Sequence, residues 1–286
     1  MASIYSVFGF LYEPAFMQRA ATALFLLSFC ASGTGVLVVS RRMAFFPDAA
    51  GHTIFAGLAI GLILSLPVDI VVLIFGVLIG LLIIYLLRHS TLSSDTIIGL
   101  VFSGGVALGL ALTSRYPQAQ GSVNRYFLGD VLTLDDRGIV LLLLLTLLSI
   151  LFFLFLYNKL MLSCVAPANY RTSALADYLF GAFLSLVVVI SVQAVGVLLV
   201  TALLVAPAAV GRVLAKTGRG MFWIALLVSV VSGQVGLWVS YLPQINTTTG
   251  ATVVFCSIAI FGIAVLIKKF IVLIKGKGAF KNLAGK

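Results

Sequence analysis

Residues 174–206 read ALADYLFGAFLSLVVVISVQAVGVLLVTALLVA, an apolar run that contains a single charged side chain and ends before Pro207. As one helix the run would be about 50 Å long, whereas the hydrocarbon core of a membrane is about 30 Å thick. A helix of this length has to bend or turn back. Because glycine tolerates backbone conformations that other residues avoid, we predict a break at Gly196, with one span over 174–194 and a short return over 197–206.

The composition places this run in a membrane protein. Of the 286 residues, 62% are hydrophobic and 9% are charged, whereas about a quarter of the residues of a soluble protein are charged. A surface with so few ionic groups can face hydrocarbon but not water. The sequence therefore predicts an all-α polytopic membrane protein of about eight transmembrane helices, one of them broken, in a single transmembrane domain over 1–286. The other predicted spans are 16–40, 50–66, 70–87, 96–114, 138–157, 221–242 and 251–272.

The positions of Lys and Arg indicate the orientation. Arg212, Lys216 and Arg219 share one loop, and a basic tail over 275–286 follows the last span; short basic segments of this kind stay in the cytoplasm. Upstream of residue 174 the number of Lys and Arg residues does not decide the orientation. If 174–206 crossed the membrane once, the upstream basic residues assigned to the inside and to the outside would exchange places. The length of that run favours a return, which puts the N-terminus outside. The inside set is then Arg41, Arg42, Arg88, Lys159 and Arg171, and the outside set is Arg19, Arg115, Arg125 and Arg137.

Several classes of function are disfavoured. The net charge of +10 does not indicate a nucleic-acid partner, because the basic residues lie in short loops without interleaved aromatic residues. Cys30, Cys164 and Cys256 are far apart in the sequence, so neither a disulfide framework nor a thiolate metal site is indicated. There is no GxxxxGK[ST] phosphate loop, and with only two histidines most hydrolytic sites cannot be assembled. We predict no ATP binding by this route, no enzyme activity and no permanently bound cofactor.

The most informative polar stretch is residues 41–52, RRMAFFPDAAGH, which runs directly into an apolar helix. Asp48 and His52 are four residues apart, so they share one face of a helix that begins after Pro47. A carboxylate with a neutral imidazole suits a divalent transition metal, and ionisable groups inside a span are usually functional. The alternative is structural: Asp48 caps the helix and His52 is a packing residue. Two ligands alone need water or a partner to complete a metal site.

The second informative stretch is residues 195–212, VGVLLVTALLVAPAAVGR. We expect Pro207 to break its helix and a turn of small residues to lead into a short interfacial helix over 212–219 at the cytoplasmic face. Such a helix would be a docking surface for a cytoplasmic partner. The alternative is an ordinary basic loop that only orients the chain.

These stretches resemble the permease subunit of ABC importers for manganese, zinc or iron, the kind that receives its ion from an extracytoplasmic metal-binding protein. The resemblance runs from about Phe16 to Ile267. Its most specific part is the stretch 41–52, followed by Gly57. Supporting matches are SDT at 94–96 with Gly99, NRYFLGD at 124–130, and the run 195–209 that ends in Pro-Ala-Ala.

The resemblance implies a homodimeric permease, surrounded by lipid in the prokaryotic cytoplasmic membrane, with ABC ATPase subunits inside and the metal-binding protein outside. It places metal-path ligands at Asp48 and His52. The transported ion is cargo rather than a resident cofactor; we expect Mn²⁺ first, because one imidazole among oxygen ligands suits it, while Zn²⁺ and Fe²⁺ stay open. The segment that couples to the ATPase corresponds to Pro207, Ala208, Ala209, Arg212 and Lys216.

Two other kinds of transporter stay open at this point. A secondary carrier coupled to protons would need neither an ATPase nor a binding protein. A permease for a metal chelate, such as a siderophore, would have a wider apolar path in which Asp48 matters little.

Overall fold

The chain folds into a bundle of long helices. In the computed structural model the described residues are 15–116, 131–165, 173–242 and 247–283, with the backbone alone for 165 and 272–283. The predicted family match at 124–130 and the basic residues Arg125 and Arg171 lie outside these ranges. The helices are α1 (Ala15–Ser40), α2 (Phe46–Ile63), α3 (Val68–His89), α4 (Ser94–Arg115), α5 (Asp136–Phe152), a π-helical turn (Phe153–Tyr157), α6 (Asn158–Val165), α7 (Ala174–Val195), α8 (Val197–Leu214), α9 (Gly218–Tyr241) and α10 (Thr249–Leu283).

Among the described residues, nine helical segments are long and apolar enough to cross a membrane, with α5, the π-helical turn and α6 forming one of them. The polytopic all-α fold predicted from the sequence is confirmed. Helices α1, α2, α7 and α8 bury half or more of their spans inside the protein, whereas the other spans bury a third or less. The four buried helices therefore form the centre of the bundle, and the others surround it and present apolar side chains to lipid.

The run that decided the fold is broken at Gly196, as the sequence predicted. Gly196 has φ 86° and ψ 157°, a conformation that is essentially restricted to glycine, and the amide of Gly196 still donates to the Val192 carbonyl at 2.9 Å. Helix α8 then continues to Leu214, so the prediction of a short return over 197–206 is wrong. With 18 residues, α8 is about 27 Å long and is a nearly complete span. This helix raises the number of spans from the predicted eight to nine.

The predicted helix break at Pro207 is also wrong, because Pro207 lies inside α8. Proline removes one backbone hydrogen bond, and membrane helices tolerate this loss where neighbouring helices pack closely around the gap. Pro207 and Ala208 are buried in this structure. At the other end of the chain, α10 runs on to Leu283, so its backbone helix includes most of the basic tail that was predicted as a separate segment.

Small residues bring the central helices into close contact. A Cβ atom on Gly35 of α1 would overlap the Leu204 carbonyl oxygen of α8, and a Cβ on Gly80 of α3 would overlap the Ser185 hydroxyl of α7. Glycine at these two positions lets the neighbouring helices approach closely, which is the usual basis of helix packing in lipid.

A buried charge cluster joins three helices at one end of the bundle. The Asp177 carboxylate at the start of α7 accepts a hydrogen bond from the Arg41 guanidinium at 2.9 Å and another from Arg88 at the end of α3. The Arg41 guanidinium also lies over the Phe180 ring, 4.9 Å from its centroid, and donates to the Ser163 hydroxyl of α6 at 3.4 Å. The ends of α1, α3 and α6 and the start of α7 therefore lie together.

The same end of the bundle carries most of the basic residues. The Tyr157 hydroxyl donates to the Gly218 carbonyl at 3.3 Å, which adds the turn between α8 and α9, and α7 and α8 consequently form a hairpin. The positive-inside rule predicts that this basic end faces the cytoplasm, which would place the start of α1 outside. The basic end carries Arg41, Arg42, Arg88, Lys159, Arg212, Lys216 and Arg219, whereas Arg19, Arg115 and Arg137 lie at the opposite end.

Candidate functional site

The candidate metal ligands lie at the start of α2, after a tight turn that ends α1. Arg42 has φ 58°, and the amides of Arg42 and Met43 donate to the carbonyls of Val39 and Val38 at 3.3 and 2.9 Å. This is a Schellman motif, in which one residue takes the left-handed conformation and the next packs back on the helix. Met43 is buried, which fixes the direction in which the chain enters α2.

Asp48 lies in the first turn of α2 and is not its cap. The N-cap residue is Phe45, which makes no side-chain cap hydrogen bond, and a proline follows within the first two positions. The alternative in which Asp48 caps the helix is therefore wrong. A carboxylate in the first turn is still favoured by the partial positive charge of the helix N-terminus.

Asp48 and His52 are brought together on one face of α2, both half-buried. The two side chains interact electrostatically, and Thr201 of α8 lies beside Asp48 in the wall of the same groove. The Thr201 hydroxyl donates to the Leu198 carbonyl of its own helix at 3.2 Å. Thr201 was not singled out in the sequence, although a hydroxyl in the middle of an apolar span is a recognisable signal. Two adjacent central helices therefore supply the polar groups of this site.

His52 lies between α2 and α4. Its ring is 5.2 Å from the Phe102 ring of α4, in an edge-on arrangement, and 6.0 Å from the Phe55 ring. Aromatic edges and faces on two sides restrict how the imidazole can rotate. The ring is thereby held on the same side of α2 as Asp48.

Asp48 opens into a long apolar groove. The groove has a volume of about 670 Å³ and lies between the start of α2, the length of α8 and the first half of α10. From Leu198 to Ala209 it follows α8 for about 17 Å. Of the described residues that line it, Asp48 is the charged one and Thr201 the other polar one. The remaining walls include Ala202, Val205 and Ala206 from α8 and Val254, Phe255 and Ile258 from α10.

The ligand set of one chain is small. Among the described residues, no three His, Cys, Asp or Glu side chains lie close enough together to hold a metal ion. One chain supplies a carboxylate, an imidazole and a hydroxyl, which are donors that suit a divalent cation such as Mn²⁺ but leave most of its coordination shell to water or to other groups.

The predicted coupling segment is the C-terminal half of α8 and the turn after it. Ala209 is half-buried, whereas Arg212 in the last turn and Lys216 in the turn are exposed. The turn is short because α9 begins at Gly218, so the described chain has no separate interfacial helix over 212–219 and that expectation is wrong. The exposed basic side chains border a cleft of about 320 Å³ that also contains Ser40, Met161 and Cys164.

Known proteins resemble the chain over most of its length. The manganese import system permease protein ScaB of Streptococcus gordonii is 28% identical over 88% of this chain and 91% of its own length. The chelated iron transport system membrane protein YfeD of Yersinia pestis is 30% identical over 91% of this chain and 89% of its own. The solved structure of PsaBC from Streptococcus pneumoniae in complex with Fab matches with a TM-score of 0.73 and 24% identity, covering 92% of this chain and 95% of that one.

The family comparison covers the same region. The ABC 3 transport family matches residues 13–268, which include eight of the nine apolar spans and most of the ninth, the Asp48–His52 pair and the predicted coupling segment. The chain therefore belongs to the ABC 3 transport family.

Proposed function

We propose that this chain is the permease subunit of an ABC importer that carries a divalent transition metal, Mn²⁺ in the first place, into the cytoplasm. The observation that carries the proposal is the Asp48 carboxylate, with Thr201 beside it and His52 on the same helix face, opening into an otherwise apolar groove between spans. Relatives whose names specify manganese and iron transport support the choice of cargo. The chain is a multi-pass protein of the prokaryotic inner membrane.

The small ligand set favours a site shared between two copies of the chain. Two copies related by a two-fold axis would contribute two carboxylates, two imidazoles and two hydroxyls, enough for a six-coordinate ion without water. The groove on the lipid side of Asp48 would then be covered by the second copy. A half-buried carboxylate that faces lipid is energetically unfavourable. A second copy that covers the groove would remove this unfavourable contact with lipid.

The binding partners follow from the two ends of the bundle. An extracytoplasmic metal-binding protein would deliver the ion at the end where α7 turns into α8, and two ATPase subunits would dock at the basic end on Arg212 and Lys216. In the importer, Asp48 and His52 replace part of the hydration shell of the ion.

Helix α8 directly connects the proposed ion site with the proposed docking site for the ATPase. Thr201 beside Asp48 and the exposed Arg212 lie on the same helix, about 17 Å apart along its axis. A movement that the ATPase imposes on the end of α8 therefore reaches the ligand site without passing through a loop. This is the kind of rigid element that alternating access requires.

The decisive experiment measures accumulation of radioactive Mn²⁺ by cells that express the chain with its ATPase and binding protein. Asp48→Asn and His52→Gln remove ligands with little change of volume, and we expect either variant to lower uptake about tenfold or more, since even groups that support metal ligands contribute about 10- to 100-fold. Thr201→Val should lower uptake to a smaller degree. Asp69→Asn, which changes an exposed carboxylate in the first turn of α3, is the matched control and should transport normally.

The outcomes separate the proposal from its alternatives. Unchanged Mn²⁺ uptake in both Asp48→Asn and His52→Gln, at equal abundance in the membrane, would contradict the ligand assignment. Uptake of a ferric chelate that is insensitive to both substitutions would favour the chelate permease, which the volume of the groove, about 670 Å³, could accommodate. Uptake by the purified chain alone, driven by a proton gradient, would favour a secondary carrier.

A further inference from the structure

A second groove lies on the lipid-facing surface, away from the metal site. It has a volume of about 270 Å³, lies where the π-helical turn and α9 meet over α1, and shares no lining residue with the groove at Asp48. A π-helical turn inserts an extra residue into a helix and is frequent at functional sites. Five of the lining residues are aromatic: Phe29, Phe153, Tyr157, Phe222 and Trp223.

The aromatic rings form the floor and one wall of this groove. The Phe29 ring of α1 lies 6.2 Å from Phe153 and 6.0 Å from Phe222, and Phe222 lies 5.4 Å from Trp223. Trp223 is 64% exposed and Leu154 is 73% exposed, so the rim is apolar and open. In a membrane this rim faces acyl chains.

The groove ends in polar groups at the basic end of the bundle. Arg219 and Asn158 line it, and both are exposed. Arg219 has no acidic partner in an ion pair within the part of the chain that the structure describes. The Tyr157 hydroxyl is already used in its bond to the Gly218 carbonyl, so the guanidinium and the amide are the donors that remain at the mouth of the groove.

We propose that this groove binds one phospholipid with an anionic headgroup. Its acyl chain lies along the aromatic floor, and its phosphate accepts hydrogen bonds from Arg219 and Asn158. Aromatic residues below a basic side chain are the arrangement that places an amphipathic molecule at the membrane interface, and unpaired basic residues attract anionic lipid at the cytoplasmic leaflet. A free phosphate would use the mouth of the groove but would leave its apolar length empty.

The test uses the tryptophan in the groove as a reporter. The full chain has two tryptophans, and Trp238 lies about 22 Å further along α9, towards the opposite end. In the Trp238→Phe variant, reconstituted in vesicles, Trp223 should be quenched by brominated phosphatidylglycerol at an about fivefold lower mole fraction than by brominated phosphatidylcholine, the ratio that corresponds to about 1 kcal/mol for one basic residue. In Trp223→Phe, the remaining Trp238 should show no such preference.

Two further substitutions assign the preference to Arg219. Arg219→Gln in the Trp238→Phe background should abolish it, because glutamine still donates hydrogen bonds but carries no charge. Lys269→Ala, which removes an exposed charge at the basic end of α10, should leave it unchanged. An equal loss in both variants would indicate general surface charge and overturn the proposal.

Two other results would also overturn it. One is equal quenching of Trp223 by the two lipids in the Trp238→Phe variant. The other is less ATPase co-purifying with Arg219→Gln than with Lys269→Ala, which would make Arg219 a contact for a protein partner. Because none of these readouts involves metal uptake, they can fail while the proposed transport function holds.

Discussion

Replacing Asp177 by asparagine should destabilise the bundle more than the same kind of change at any other carboxylate that the structure describes. The Asp177 carboxylate has 12% of its surface exposed and is bonded to two guanidiniums, of Arg41 with 14% exposed and of Arg88 with 33% exposed. An asparagine keeps the shape and one acceptor oxygen. It leaves two positive charges close together at a buried site with no negative charge between them.

The magnitude follows from the two bonds and their burial. A hydrogen bond to a charged group contributes about 1.5–3 kcal/mol, and breaking a buried ion pair by removing one partner costs about 3–5 kcal/mol. Because a third of the Arg88 side chain already reaches solvent, its guanidinium can rehydrate, and we expect a loss of about 3 kcal/mol. The pair of Arg19 and Asp136 is 39% and 52% exposed, so Asp136→Asn should cost about 1 kcal/mol or less.

The assay is equilibrium unfolding of the purified full chain in mixed micelles with increasing dodecyl sulfate, followed by far-ultraviolet circular dichroism. A third variant, Arg41→Gln, completes a double-mutant cycle with Asp177→Asn. Asp177→Asn should cost clearly less in the Arg41→Gln background, since one of its two partners is then absent. If Asp177→Asn and Asp136→Asn lower the free energy of unfolding equally, the buried cluster contributes no more to stability than an exposed ion pair.

The glycines give two further predictions, both read from unfolding in the same assay. Gly35→Ala should lower the free energy of unfolding by about 1–3 kcal/mol, because the new Cβ meets the Leu204 carbonyl rather than a movable side chain. Gly104→Ala, on the open face of α4 where nothing lies within 4 Å, should raise the free energy of unfolding by about 0.5–1 kcal/mol. Equal effects of the two changes would contradict the close packing of α1 on α8. Gly196→Ala should lower the free energy of unfolding by about 1–3 kcal/mol, since φ 86° with ψ 157° strains any residue with a Cβ. An unchanged free energy of unfolding would mean that α7 and α8 are joined in another way.

Helix length and spacing were readable from the sequence, whereas contacts between distant segments were not. The run 174–206 is too long for one span, which required a break, and the glycine at position 196 indicated where the break lies. Pro207 misled the prediction of the return, because a proline that would end a helix in water stays inside one whose neighbours are packed around it. The pairing of Asp48 with His52 follows from helical periodicity.

Thr201 joins the Asp48–His52 pair only through the packing of α8 on α2. The same is true of the charge cluster. Arg41 and Arg88 lie 136 and 89 positions from Asp177 in the sequence, and no local pattern distinguishes that carboxylate from the other first-turn acids. Sequence spacing identifies residues that share one face of one helix. The metal-ligand site and the charge cluster each combine residues from several helices, so spacing could not predict them.

The contact between Gly35 and Leu204 gives α8 a pivot that lies much closer to Thr201 than to Arg212. Backbone touches backbone there, so this is the point of α8 that moves least when the helix tilts against α1. Along the axis of α8, Thr201 lies about 4.5 Å from Leu204 on one side, and Arg212 lies about 12 Å from Leu204 on the other. We therefore expect a sideways displacement of the Arg212 end to be reduced between two- and threefold at the proposed ligand site, and the force to be increased there by the same factor.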